Sequence, residues 1–353
     1  MASDEQLDSP ESLPSISLII ACYNEEGIIE RKIENTLALE YPKDLLEVLV
    51  ISDGSTDNTV SIARKMEESH IRVYDRVRRE GKTAVQNVGA EIATGEILVF
   101  SDANALYVPD ALKQAVKKFK DPKVAGICGE VKFVSTAQAE SVSQEEEFYW
   151  GYEQFLKRVE SKVSSVIGAN GAIYAIRKNL YDPLRNDIIS DLVEPLLLVK
   201  KGFQVKYEQK AVAIEEISIG YRKEFQRKSR IILRSLHGVA FVSNLLNPFK
   251  YGIFSIQLWS HKLLRWLVPL VLGVMFLSNL LLISSGTFMA LFLVQILFYA
   301  LAGIGWAVQK NSFATDIWFF RLPFYFCLVN LAALSALIQY VRGKNIVTWE
   351  PQR

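Results

Sequence analysis

The sequence predicts an α/β domain with a mostly parallel sheet, followed by an interfacial helix and transmembrane α-helices. Three observations predict it. Short apolar runs alternate with helical patterns through the first two-thirds of the chain, as in sheets built from right-handed crossovers. Those runs stop abruptly in polar turns, the mark of strands that open at their C-terminal edge, where open α/β sheets bind ligands. From Leu263 onward charged residues nearly vanish, and three apolar stretches appear, each near the ~20 residues a helix needs to cross a bilayer.

Taken in order, Ile16 to Cys22 is a continuous β-branched run and the first strand. Tyr23-Asn24-Glu25-Glu26-Gly27 stops it, and a helical pattern runs to about Leu39. Glu47 to Ser52 is the second strand, closed by Asp53-Gly54-Ser55-Thr56-Asp57. Thr56 and Asp57 are helix-starting residues for Asn58 to Glu68. Ile71 to Tyr74 is a short third strand, and Gly81 to Ala93 a helix leading into the apolar run Ile97 to Phe100. That run ends in Ser101-Asp102-Ala103-Asn104. Pro109 starts a helix to about Phe119, and Val124 to Val134 reads as strand. Gln144 to Val163 is a helix carrying Phe148, Tyr149, Trp150, Tyr152 and Phe155, either as core packing or as a platform for a stacked ring. Gly168 to Ala172 is a tight loop before a strand at Ile173 to Ile176. Ser190-Asp191 opens a helix to Lys201, and Gln204 to Ile214 gives one or two strands.

Arg222 to Val242 places Phe225, Ile232, Leu236 and Val239 at helical spacing among six basic residues. Such a helix beside membrane spans is interfacial, held by apolar insertion and anionic headgroups. The spans read Leu263–Ile283, Thr287–Val308 and Ile317–Val341, with Arg265 and Trp266 as interface anchors. Arg321 and Pro323 interrupt the third. Lys310 suits a cytosolic loop. Three crossings leave the C-terminus on the far side, but Arg342, Lys344 and Arg353 there run against the positive-inside trend unless one segment is re-entrant. The expected domains are a disordered tail (1–14), a cytosolic α/β domain (15–220), an amphipathic interfacial region (221–261), transmembrane helices (262–343) and a C-terminal tail (344–353).

Forty basic and 39 acidic residues leave a net charge of +1, so bulk electrostatics does not point to nucleic acid. Cys22, Cys128 and Cys327 have no paired spacing and read as buried thiols in a reducing compartment. The acidic N-terminal residues lack the apolar core of a signal peptide. The chain has no GxGxxG and no GxxxxGKS/T, which weakens dehydrogenase and P-loop readings. His70, His237 and His261 are isolated, without metal spacing.

Six features stand in order: YNEE at 23–26, SDGSTD at 52–57, EGK at 80–82, SDAN at 101–104, GANGA at 168–172 and SDLVE at 190–194. Together, over about residues 15 to 230, they resemble the family-2 inverting glycosyltransferases, which share the GT-A nucleotide-sugar-binding fold. The membrane helices resemble the cellulose- and hyaluronan-synthase-like branch. The resemblance implies a membrane-bound enzyme moving a sugar from a nucleotide diphosphate, expected to be UDP, to a saccharide or lipid-linked saccharide in polysaccharide or glycolipid synthesis. Donor contacts would fall to Tyr23, Asn24, Glu25, Asp53, Lys82, Asp102 and Arg230. Tyr23, Asn24 and Glu25 can equally be turn residues, and Asp53 a turn and cap. Lys82 at a helix start suits diphosphate oxygens. Asp102 matches the first acid of the family's Asp-x-Asp motif and would hold Mg²⁺ or Mn²⁺. Asn104 stands where the second Asp is usual and can offer only a neutral carbonyl. Asp191 matches the general base that takes the acceptor's proton, or is an N-cap carboxylate. Glu194 reads as structural. Gly168, Asn170 and Trp150 are the acceptor-side candidates. Arg230 can match the arginine of the Gln-x-x-Arg-Trp motif, although Gln226 is one residue too far and Ile231 replaces Trp. Two alternatives are a polyprenyl-phosphate sugar synthase and a non-catalytic scaffold that binds nucleotide sugars. Membrane lipids are the remaining expected partner.

Overall fold

The computed structural model describes residues 13–135, 143–217, 220–308 and 318–349. The N-terminal tail through residue 12, Lys310, Ile317, Arg353 and the side chains of Phe148 and Tyr149 lie outside it.

Strands β1 (Ile16–Cys22), β2 (Leu46–Ser52), β3 (Ile71–Asp75), β4 (Ile97–Asp102), β5 (Leu106–Tyr107), β6 (Val124–Ser135), β7 (Tyr174–Arg177) and β8 (Gln204–Ile217) form one sheet. Its order is β3-β2-β1-β4-β7-β6-β8-β5. The helices around it are α1 (Ile29–Leu37), α2 (Thr59–Arg64), α3 (Lys82–Ile92), α4 (Ala111–Val116), α5 (Ser143–Val163) and α6 (Ser190–Lys200). The first four strands in the sheet order are parallel throughout. Beyond β4 the sheet is mixed: β7 runs antiparallel to both neighbours, β6 and β8 pair in parallel, and β5 is antiparallel to β8. The two-residue β5 carries no apolar run and leaves no periodic signal in the sequence.

Every residue of β1 is buried. Alternation sends Ile16, Leu18, Ile20 and Cys22 into one core, where Ile29 and Ile33 of α1 and Ala111, Leu112 and Ala115 of α4 cover them. Ile19 and Ala21 enter the opposite core beside Val85 and Ala90 of α3. β4 repeats the pattern, with Leu98 and Phe100 in the second core. A sheet covered on both faces requires such unbroken apolar strands. The chain passes from β1 out to β3 and then crosses to β4 on β1's other side. The gap between the C-terminal ends of β1 and β4 is therefore a topological switch point, where such sheets bind ligands.

α7 (Tyr221–Phe241) follows, then two short helices α8 (Pro248–Tyr251) and α9 (Ile253–Leu258), a π-helical turn at Trp259–Leu263, and α10 (Leu264–Leu281), α11 (Gly286–Val308) and α12 (Trp318–Val341). Among the described residues three helical segments are long and apolar enough to cross a membrane: Ile253–Leu281, Gly286–Ala307 and Phe319–Val341. α10 and α11 pack as a hairpin through Phe276 on Phe292 and an Asn279–Gln295 hydrogen bond. A third core cluster joins α6 and α7 to Phe254, Leu258, Trp266 and the small face of α12 at Ala333 and Ala336.

The sequence leaves open whether the C-terminal segment lies across a membrane from the α/β domain. α12 runs alongside α7 in the same direction. Tyr221 packs on Phe324 at 4.8 Å, Ser229 meets Ser335 and Gln339, and His237 packs on Tyr340 at 4.9 Å. The residues after α12 then return to the α/β domain: His237 Nε2 lies 3.2 Å from the Lys344 carbonyl, and Trp349 joins the second core. Lys344 is thus in contact with α7, and the segment that follows it with the α/β domain.

Candidate functional site

The turn after β1 is built mostly by its own residues. Asn24 takes a left-handed backbone with φ 51°. Its amide N–H donates to Ser55 Oγ at 3.1 Å, and its side-chain oxygen accepts from Thr56 N at 2.8 Å. Glu25 is buried; its N–H donates to Thr59 Oγ1 at 2.7 Å, and its carbonyl accepts from Ile28 and Ile29 at the start of α1. These bonds tie the end of β1 to the end of β2. Tyr23 faces the cleft, with the Arg79 guanidinium 3.7 Å above its ring and Trp349 edge-on at 6.2 Å.

Asp53, at the end of β2, is fully buried. It accepts from the N–H of Glu80 at 2.9 Å and of Gly81 at 2.8 Å, and Arg76 approaches at 3.5 Å. Burial raises its carboxyl above the usual range, against those donors. In this arrangement Asp53 closes the loop 76–81 and sets the start of α3. Gly81 caps that helix at φ 93°, a conformation open to glycine. The Val347 carbonyl fills the space where a Cβ would stand, and Arg79 donates to the Trp349 carbonyl. The segment 344–349 therefore lies over the cleft beside Tyr23, Arg79 and Gly81.

Lys82 is the first residue of α3 and pairs with Asp102 at the end of β4. Asp191, in the first turn of α6, approaches the same point. The three meet at Gly171. A Cβ there would stand 2.9 Å from Lys82 Nζ, 3.0 Å from Asp191 Oδ2 and 3.4 Å from Asp102 Oδ2. The loop holding Gly171 is fixed from both sides. The Ala169 N–H donates to the Asp191 carbonyl at 2.7 Å, and Asn170 Nδ2 donates to the Gly129 carbonyl at 2.6 Å. Lys157 of α5 donates to Asn170 Oδ1. Burial raises the Asp191 carboxyl above its ordinary range; Lys82, Lys157 and Arg234 oppose that rise and Asp102 adds to it. A carboxylate so raised is a stronger base than a solvated one.

Asp102 and Asn104 are half-buried, while Ala103 and Ala105 between and after them are buried. Both offer hard oxygen donors of the kind Mg²⁺ and Mn²⁺ accept. Among the described residues no group of three His, Cys, Asp or Glu could hold a metal ion. A cation here would share Asp102 and Asn104 with oxygens of a bound diphosphate.

Of the acceptor-side candidates, Gly168 packs beneath Leu192 of α6 and Asn170 is the strut just described. Trp150 is engaged on β6: its indole N–H donates to the Val131 carbonyl at 2.7 Å, and its ring meets Phe133 at 4.9 Å. This placement matches core packing. Arg230 is half-buried on α7, one turn from Arg234. His237 contacts Tyr340 and the Lys344 carbonyl, and His261 Nδ1 lies 2.6 Å from Glu160.

Sequence reasoning missed four supporting residues. Lys32 of α1 is buried below Asp102, donating to Ser101 Oγ at 2.8 Å and to the Ala105 carbonyl, and burial pulls its ammonium down to about 7. Burial, then the Asp102 charge, push Glu215 of β8 up to about 7. Gly171 stands in the GANGA motif between Asn170 and Ala172. Lys157 is one polar residue in an aromatic helix. Only Gly171 had a signal, as the small residue in the middle of GANGA.

Residues 17–182 match the family described as Glycosyl transferase family 2. Poly-beta-1,6-N-acetyl-D-glucosamine synthase of Staphylococcus aureus is 27% identical over 208 residues, covering 57% of this chain and 50% of that protein. The synthase of the same name from Staphylococcus epidermidis is 26% identical over the same length, with the same coverage. The chain thus spans about half the length of the curated relatives it matches. Among solved structures, the mannosyltransferase PcManGT from Pyrobaculum calidifontis, in complex with GDP-Man and Mn²⁺, superposes with a TM-score of 0.70 at 22% identity. That match covers 95% of this chain and 89% of the neighbour, and it shows that the two share a fold. The α/β domain has the GT-A arrangement expected from the sequence.

Proposed function

We propose that this chain, whose residues 17–182 form a glycosyl transferase family 2 domain, is a membrane-bound inverting glycosyltransferase. It would move a sugar from a nucleotide-diphosphate sugar, a UDP-sugar in the first instance, to a saccharide or lipid-linked saccharide. The product would belong to polysaccharide or glycolipid synthesis. One observation carries the reading: Lys82, Asp102 and Asp191 converge on Gly171 at the C-terminal edge of the sheet.

In this reading the nucleobase lies toward Tyr23 and the diphosphate toward Lys82 and Asp102. Lys82 at the first turn of α3 adds its ammonium to backbone N–H groups suited to an anion. Asp102 and Asn104 would hold Mg²⁺ or Mn²⁺, which when bound offsets negative charge on the leaving diphosphate. Asp191 takes the proton of the acceptor hydroxyl, and attack from the face opposite the diphosphate inverts the anomeric centre. Arg230 on α7 would pair with the diphosphate. Membrane lipids would embed the α10–α11 hairpin, while the apolar face expected to hold α7 at the membrane surface is instead packed on α6 and α12 through Ile232 and Val239. With the segment after α12 back on the α/β domain, two crossings and an α12 lying along α7 fit the contacts better than three crossings. The catalytic domain would face the cytosol.

The test is the full chain purified in detergent, assayed for nucleoside diphosphate release and sugar transfer. A panel of UDP- and GDP-sugars is used with Mg²⁺ or Mn²⁺ and saccharide, lipid-linked saccharide or polyprenyl-phosphate acceptors. Transfer to a hydroxyl acceptor that depends on Asp191 supports the reading. Transfer to a lipid phosphate that survives Asp191→Asn supports the polyprenyl-phosphate alternative, since a phosphate needs no deprotonation. Donor binding without transfer supports the scaffold.

A further inference from the structure

The helix α7 reaches into the site through one residue that neither the motifs nor the proposed chemistry uses. Arg234 is 6% exposed. One terminal nitrogen of its guanidinium lies 2.9 Å from Thr83 Oγ1, 3.0 Å from the Asn186 carbonyl and 2.7 Å from the Ile188 carbonyl. Thr83 Oγ1 donates in turn to the Ile188 carbonyl at 2.7 Å. Thr83 follows Lys82 in the first turn of α3, and Ile188 precedes Asp191 by three residues. A single buried cation thus joins the two backbone segments that present Lys82 and Asp191.

We infer that Arg234 is a positioning residue for the transfer reaction: it locks the start of α3 to the loop entering α6, and so fixes Lys82 and Asp191 relative to each other from the membrane-side helix. The inference rests on the function proposed above. Its physical basis is the strength of hydrogen bonds from a charged donor in a buried setting and the steep dependence of rate on the placement of reacting groups. α7 is itself held by α12, through Ser229 with Ser335 and Gln339, so the seat of this helix among the membrane segments reaches the site through Arg234. The alternative is that Arg234 merely fills the α6–α7 interface. Its neighbours on α7 already do that: Leu233 and Val239 join Leu192, Val193 and Leu196 in one apolar cluster.

The experiment uses the full chain in detergent and the donor found active in the panel above. It compares kcat, donor KM and melting temperature for Arg234→Met, Arg234→Lys, Thr83→Val and the double variant Arg234→Met/Thr83→Val. Positioning predicts that Arg234→Met lowers kcat by about tenfold or more while donor KM stays within about threefold of wild type. Thr83→Val lowers kcat in the same sense, and the double variant is no worse than Arg234→Met alone, because both remove one bridge. Arg234→Lys recovers part of kcat by restoring a charged donor. Wild-type kcat in a folded Arg234→Met overturns the inference, as do losses that multiply in the double variant or fall on KM alone. If Arg234→Met does not fold, the Thr83→Val and Arg234→Lys results decide by the same criteria. A wild-type chain that transfers no sugar overturns the function itself; an active wild type silenced by Asp191→Asn but indifferent at Arg234 and Thr83 overturns only this inference.

Discussion

Replacing Gly171 with alanine should disable the site while leaving the fold intact. The added methyl would stand 2.9 Å from Lys82 Nζ and 3.0 Å from Asp191 Oδ2, with Asp102 Oδ2 at 3.4 Å. Ordinary contacts to carbon are about 3.5–4.0 Å, so Lys82 and Asp191 must each retreat by roughly 0.5–1 Å. Both atoms are the far ends of side chains, and Gly171 is not among the glycines with positive φ. The backbone therefore accepts alanine, and the smaller entropy of the unfolded chain contributes about 0.4–1 kcal/mol in favour of folding. Loosening the partly exposed Lys82–Asp102 pair costs about the same, at most ~1 kcal/mol, so stability should change little. A misplacement near 1 Å costs on the order of 100-fold in rate, or about 2.7 kcal/mol in barrier. The assay is kcat with the active donor and acceptor, beside a thermal melt of the same preparation. A variant that melts with wild type and turns over within about threefold of it refutes the reasoning, because the space at Gly171 would then not be reaction space.

Other expectations follow from single observations. The rate should fall as pH drops through a value above the ordinary carboxylate range, because the working form of Asp191 is unprotonated and burial raises its pKa; a pH–kcat profile with its acid limb at or below about pH 4 contradicts this. Glu194 is 1% exposed, and burial, then the Asp182 charge, raise its carboxyl well above the ordinary glutamate range. An acid whose folded pKa is raised contributes stability below its unfolded pKa and loses it as pH rises through the folded value. Glu194→Gln should thus flatten the fall of melting temperature from mildly acidic to alkaline pH, and an unchanged slope counts against the assignment. Gly81→Ala should force the Val347 carbonyl away and make the segment 344–349 more sensitive to limited proteolysis; equal cleavage rates would contradict that packing. Lys344→Cys should react with a membrane-impermeant maleimide from the side of the α/β domain, whereas labelling from the opposite side would restore a third crossing.

β3, at the sheet edge, is largely half-buried and runs one residue beyond the expected Tyr74; β1, β2 and β4 were legible in the sequence because each is buried on both faces and reads as a mainly apolar run, β1 at its observed bounds. Mixed pairing beyond β4 was not, since the direction of β7 depends on where the loop 168–172 leaves the chain. α2 was expected to reach Glu68 but ends at Arg64, because Glu68 bridges to Ile71 and turns the chain. Side-chain convergence of Lys82, Asp102 and Asp191 was legible only as three motifs in order. Residues that hold the site, such as Lys32, Arg234 and Lys157, sit singly on helices among ordinary neighbours and carry no local pattern. The packing of α12 along α7 was hidden for another reason: an apolar helix of 24 residues reads the same whether or not a partner helix lies along it.

The most direct test of the central claim separates binding from transfer at Asp191. With the purified full chain and its active donor, Asp191→Asn should bind nucleotide-diphosphate sugar and Mn²⁺ with affinities close to wild type in calorimetry, and release product to a hydroxyl acceptor at least about 100-fold more slowly. Transfer by Asp191→Asn at the wild-type rate would contradict the account.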